Sequence, residues 1–164
     1  MESIINSMVI SLNSIIDPRL LIFLISLMPI LELRGGLIAA SLLNVDWRLA
    51  FLICLAGNMI PIPFILLFIR KVFDLLKKTK MSKFIEKLEG MANKKAESVR
   101  KYEIWGLFFF VAIPLPGTGG WTGALIAGLF DMPFKKSVIS ICLGILVAGI
   151  IMATLSYGIV GFFK

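Results

Sequence analysis

Apolar residues run through this chain in long blocks, and polar residues punctuate them in short clusters. Residues 20–43 form a first apolar segment, interrupted by Pro29, Glu32, Arg34, Gly35 and Gly36. Residues 44–48 make a short polar turn with Trp47 at an interfacial position. A second segment, 49–69, contains Asn58, Pro61 and Pro63. A third, 104–130, is broken by Pro114, Pro116, Gly117, Gly119 and Gly120. Asp131, Pro133, Lys135 and Lys136 form the next turn, and a fourth segment, 137–163, is apolar apart from serine and threonine. A helix needs about 20 mostly apolar residues to cross a bilayer, so all four segments are long enough.

Two stretches follow a different pattern. In residues 1–17, Ile4, Ile5, Met8, Val9, Leu12, Ile15 and Ile16 recur at three and four, which predicts a short amphipathic helix lying in the membrane interface and ended by Asp17-Pro18. In residues 70–103, Leu76, Phe84, Leu88, Met91 and Val99 mark an apolar stripe under a lysine-rich face. That stretch reads as a basic amphipathic linker helix with a turn near Thr79–Ser82.

The segments repeat. A shift of 87 residues places Pro29 on Pro116, Gly36 on Gly123 and Gly57 on Gly144. The run from Gly36 to Arg48 falls without a gap on Gly123 to Lys135, so that Asn44 meets Asp131, Trp47 meets Phe134 and Arg48 meets Lys135. Repeat one is 20–69 and repeat two is 104–163, within one membrane domain covering 1–164.

Two topologies fit this repeat. All four segments cross the bilayer, or the broken segment of each repeat dips in and returns. The clusters Pro29–Gly36 and Pro114–Gly120 argue against continuous helices, because proline removes a hydrogen bond and glycine weakens a helix. Glu32 and Arg34 are costly against lipid and tolerable where a broken segment lines a polar cavity. The second topology is therefore the expectation: an all-α integral membrane protein of two inverted repeats, each a re-entrant helical hairpin followed by a transmembrane helix, joined by the basic amphipathic linker.

Composition sharpens this picture. Hydrophobic residues make up 59 % of the 164, charged residues only 16 %, and mean hydropathy is +0.96. Soluble domains carry about 45–50 % apolar and about 25 % charged residues. The formal net charge is +7. Residues 70–103 hold 11 of the 17 Lys and Arg against five acids. The basic excess thus belongs to the linker, which the distribution of Lys and Arg places in the cytoplasm. The same count favours a dipping third segment, which keeps Lys135 and Lys136 on the linker side. No groove-reading motif accompanies the basic block, so no nucleic-acid partner is expected. Histidine is absent, Cys54 and Cys142 lie in apolar runs, and no nucleophile–base pair, metal cluster or P-loop occurs. The chain is expected to be neither an enzyme nor a cofactor or metal protein.

The candidate site lies at the two breaks. In repeat one it comprises Glu32, Arg34, Gly35 and Gly36, where a helix could start, with Asn58 in the following segment. In repeat two it comprises Thr118, Gly119, Gly120, Trp121 and Thr122. Pro29, Pro114, Pro116 and Gly117 are the hairpin breakers. Broken helices from two halves aim their N-termini at anions near the bilayer midplane, and glycine-rich turns expose N–H groups to phosphate. Arg34 suits an anionic headgroup bidentately, and Glu32 suits neutralising it or carrying a proton. A static Glu32–Arg34 pair locking the hairpin tips is the structural alternative. Asn58 either adapts the second segment to the hairpin or caps a helix broken at Pro61. Shielding the two charges from lipid also favours a homodimer.

The segments Pro29–Gly36 (PILELRGG) and Pro114–Gly128 (PLPGTGGWTGALIAG) resemble the paired signatures of the small multi-drug export protein family, over about residues 20–163. That family resembles the wider DedA superfamily of bacterial inner-membrane proteins. The resemblance implies the two-hairpin inverted fold, a location in the prokaryotic inner membrane, and a transporter of an anionic lipid or amphiphile of the undecaprenyl phosphate kind. It equally admits an exporter of small cationic drugs with Glu32 as charge partner. A membrane-organising protein that does not transport is the reading from a different class. Residues 104–130 lack the second-hairpin arginines of many superfamily members.

Overall fold

A computed structural model describes residues 16–79, 82, 104–115 and 117–161. Residues 1–15 of the expected interfacial helix, most of the 70–103 linker, Pro116 and residues 162–164 lie outside the described residues. The described chain is helical without strands: α1 (Pro18–Leu27), α2 (Glu32–Leu42), α3 (Trp47–Met59), α4 (Pro61–Lys77), α5 (104–112), α6 (Gly120–Leu129) and α7 (Phe134–Gly161).

The helix ends follow local chemistry. Asp17 accepts a hydrogen bond from Arg19 N and Pro18 takes the first position of α1, where a missing N–H costs nothing. Asp46 caps α3 through Arg48 N and Leu49 N. Asn44 (φ 54°) and Asp131 (φ 56°) both adopt the left-handed conformation that closes a helix C-terminus. Val45 N then donates to Ala40 O at 3.0 Å, and Met132 N to Ala127 O at 2.9 Å. The two polar turns of the sequence repeat are thus built alike. Beyond α4, Ser82 N donates to Thr79 O.

Only Ile60 separates α3 from α4, so Trp47–Ile69 reads as one span of 23 residues with mean hydropathy 2.4. Phe134–Gly158 gives 25 residues at 2.7. At 1.5 Å per residue these two are long enough for a hydrocarbon core of about 30 Å. Their flanks leave large apolar side chains exposed, among them Leu52, Phe64, Leu143 and Leu155. By contrast α1 has 10 residues and α2 has 11, which reaches about half that thickness.

Each short pair folds back on itself. Gly35 and Gly36 of α2 lie against Ile25, Ser26 and Ile22 of α1; a Cβ on Gly36 would come within 1.9 Å of Ser26 Oγ and 3.2 Å of Ile22 O. In the second half, Gly123 of α6 faces Val111 and Leu107 of α5. The following span closes over the hairpin through another glycine. A Cβ on Gly57 would meet Phe23 O at 2.9 Å and Ser26 Cβ at 3.0 Å, and one on Gly144 would meet Phe108 O at 3.0 Å and Val111 Cβ at 2.7 Å. The glycines correspond at 87 residues but their α1 and α5 partners at 85, because two more residues separate Val111 from Gly123 than Ser26 from Gly36.

The halves also exchange contacts. α2 packs on α7, and α6 packs on α4. Ser41 Oγ donates to Ser156 O, and Tyr157 OH to Val45 O at 2.9 Å, which sets the beginning of α3 beside the end of α7. Gly128 abuts Ile69, which sets the beginning of α7 beside the end of the α3–α4 span. The two spans therefore run antiparallel.

Candidate functional site

The two breaks meet at the centre of the molecule. α2 begins at Glu32, three residues before the expected glycine start, because Glu32 itself adopts φ 51° and turns the chain into the helix. This corrects the placing of Gly35 and Gly36 at a helix N-terminus: both lie inside α2, buried against α1. Their smallness brings the two arms of the hairpin together and leaves the tip to Glu32 and Arg34.

Both charged side chains cross to the other hairpin. The Glu32 carboxylate accepts a hydrogen bond from Trp121 N at 3.2 Å, and the Gly120 N–H also serves it. These are the first free N–H groups of α6, whose own N-cap residue, Gly119, has no side chain to offer. Glu32 therefore caps α6 from a distant part of the chain, with its charge on the positive end of the helix dipole. Gly119 makes room for it: a Cβ there would fall 1.9 Å from Glu32 Oε2. Glu32 is only 6 % exposed.

Arg34 binds the loop that precedes α6. Its guanidinium donates to the carbonyl oxygens of Leu115 and Thr118, and Nη2 donates to Thr118 Oγ1 at 3.1 Å. Thr118 Oγ1 in turn donates to Ile113 O at 2.7 Å and accepts from Leu115 N at 3.2 Å. The loop carbonyls left over by the end of α5 are thus gathered by one threonine and one arginine. Gly117, at φ 84°, supplies the left-handed turn that a side chain would strain. Pro29 sits in the first turn and Pro114 in the second, as their helix-breaking role requires.

The static-pair alternative takes a different form here. The tips are joined by Glu32 to backbone N–H groups and by Arg34 to backbone carbonyls, rather than by the two side chains to each other. The Leu115 carbonyl is a partner the sequence did not reveal, since a backbone acceptor leaves no residue-type signal.

Two spaces adjoin these charges. A void of about 10 Å³, room for about one water, is lined by Glu32, Asn58, Gly119, Gly120 and Ile145 among others. Asn58 is buried and its Oδ1 accepts no hydrogen bond, so it does not cap α4. A larger cleft of about 330 Å³ is bounded by Pro29, Ile30, Leu31, Glu32 and Arg34 from one tip and Gly117, Thr118 and Thr122 from the other. Trp121 gives its N–H to Glu32, while its half-buried indole Nε1 has no hydrogen-bond partner. Among the described residues no group of three metal-ligating side chains occurs.

Among the described residues, an all-helical fold with two long apolar helices, and a buried acid beside a half-buried base where two helical hairpins meet, defines a membrane protein with a polar centre. The chain belongs to the family described as "Putative small multi-drug export protein", whose model matches residues 32–151. The match begins at Glu32, so it takes in Glu32 and Arg34 of the first tip and the whole of the second. No curated protein and no solved structure matches the chain.

Proposed function

We propose that the chain is a small inner-membrane transporter whose two hairpins are re-entrant, and that Glu32 and Arg34 form its binding and coupling centre. One observation carries the reading. The charges of one hairpin are held by the backbone of the other, beside a cleft that both tips line. A latch between two hairpins is an element with two arrangements, closed as seen here and open when something else satisfies the same groups.

The antiparallel spans support an inverted arrangement of the halves. With the linker in the cytoplasm, residues 44–48 face outward and Lys135 and Lys136 face inward. Arg34 and Glu32 both line the cleft, but the Glu32 carboxylate is spent on the start of α6, which leaves half-buried Arg34 as the charge a cargo would meet. An anionic amphiphile is therefore the preferred cargo, with the undecaprenyl phosphate kind as one candidate. Protonation of Glu32 would remove the charge that caps α6, which couples a proton to release of the latch.

Reconstituted vesicles containing only this protein test the reading. Arg34→Ala should abolish movement of an anionic amphiphile while the protein still inserts, Arg34→Lys should rescue in part, and Glu32→Gln should flatten the pH dependence. The family description fits a second reading, drug export, in which the compounds are small cations and Glu32 is their charge partner. In that case transport of a cationic dye fails mainly on loss of Glu32. Absence of any transport by the pure protein would leave a membrane-organising role.

A further inference from the structure

The spans give the hairpin tips a depth. Residues 47–69 are centred on Asn58, and residues 134–158 on Leu146. A Cβ on Gly120, at the start of α6, would meet Ile62 Cδ1 at 3.0 Å, Ile145 Cδ1 at 2.8 Å and Asn58 Oδ1 at 3.4 Å. Leu33, at the start of α2, lies 3.2 Å from the Cβ position of Gly149. Both tips thus stop halfway along both spans, about 15 Å from either end of a 30 Å hydrocarbon core.

The cleft between the tips has one polar side and an apolar rim. Arg34, Thr118, Thr122 and Glu32 supply the polar side, with the Glu32 carboxylate already engaged by the Trp121 N–H of α6. Ile30 of its lining is 81 % exposed, and the two breaks elsewhere expose Met28, Ile113 and Leu115 (56 %). Exposed apolar side chains at mid-depth adjoin acyl chains. A guanidinium behind such a rim is within reach of a molecule that is itself in the bilayer, with an acidic group at one end.

We infer that this cleft opens sideways into the bilayer and admits a single-chain amphiphile with an anionic headgroup, the headgroup against Arg34 and Thr118 and the chain between Ile30 and Leu115. The inference rests on the transporter reading for its purpose, but its geometry is tested without transport.

Ile30→Cys and Leu115→Cys, each in a background lacking Cys54 and Cys142, are spin-labelled in lipid vesicles. The depth control is Leu155→Cys, 70 % exposed near the end of α7. Labels at 30 and 115 should relax with dissolved oxygen, lose relaxation by a water-soluble nickel chelate, and read deeper than the label at 155. Dodecyl phosphate should then lower the oxygen collision rate at 30, inorganic phosphate should leave it unchanged, and Arg34→Ala should abolish the dodecyl phosphate effect. Strong relaxation by the nickel chelate at 30 would overturn the sideways opening. Shielding from both relaxants would overturn it as well, and would place a second copy of the chain over the cleft. A lipid-exposed label that ignores dodecyl phosphate would overturn the ligand class alone. Because the depth readout needs no cargo, failure of the opening and failure of the transporter reading are separate results.

Discussion

Glu32 and Gly119 occupy the same position in the two halves of the chain, and they touch. A shift of 87 residues superposes them, and the space a Cβ would fill on Gly119 is taken by Glu32 Oε2. Position 34 is likewise Arg34 in one half and Trp121 in the other, and position 58 is Asn58 against Ile145. One half therefore contributes both charges of the centre. The other contributes backbone groups, the Thr118 hydroxyl and room.

This pairing gives the first expected outcome. Gly119→Ala should destabilise the protein by about 1–3 kcal/mol, the usual cost of overpacking a filled site. Glu32→Ala should also destabilise it, by about 0.5–2 kcal/mol for the lost cap. Combined, the two should cost less than their sum, because removing the carboxylate frees the space. Thermal melts of the four proteins in one detergent measure the coupling.

Arg34→Lys should lower stability by about 1–3 kcal/mol, since an ammonium cannot reach both loop carbonyls in the planar geometry of a guanidinium. Thr118→Val should lower it in the same assay by releasing the loop from the other side. If neither changes the melting temperature, the latch between the hairpins does not contribute to stability.

The glycines that seat the hairpins form a matched set. Gly57→Ala and Gly144→Ala should each destabilise by about 1–3 kcal/mol, because each new methyl group meets a backbone carbonyl about 3 Å away. Gly106→Ala is the control. Nothing lies within 4 Å of its Cβ position, and the substitution should be neutral or stabilising by up to about 1 kcal/mol from helix propensity.

Single cysteines at Asn44 and Lys135, without Cys54 and Cys142, should react with an impermeant thiol reagent from opposite sides of the membrane. Position 44 should label from outside and position 135 from the cytoplasm. Equal labelling from outside would restore four plain spans.

The two polar turns were legible because their residues are distinctive. Asn44 and Asp131 tolerate the left-handed backbone that ends α2 and α6, and a proline-glycine cluster cannot continue a helix. Those residues placed the two hairpins and turns within a few positions. The start of α2 was not legible. Glu32 is a good helix former with φ 51° here, and a pair of glycines is a more conspicuous break than an acid. The partners of Glu32 and Arg34 were hidden for a different reason. Both charges bind main-chain groups, and every residue carries those, so the sequence named the loop without naming the atoms.

The lone carboxylate at the junction bears on how such a chain could have arisen. A half-length ancestor pairing with itself would bring two copies of residue 32 face to face, and two carboxylates at that distance would share a single proton. Neither could then cap its neighbour's helix with a full charge. In a single chain one position can hold the acid while its counterpart holds glycine. A dimer of either half would not reproduce this junction. Two copies of repeat one would meet acid to acid, and two copies of repeat two would leave both helix ends bare.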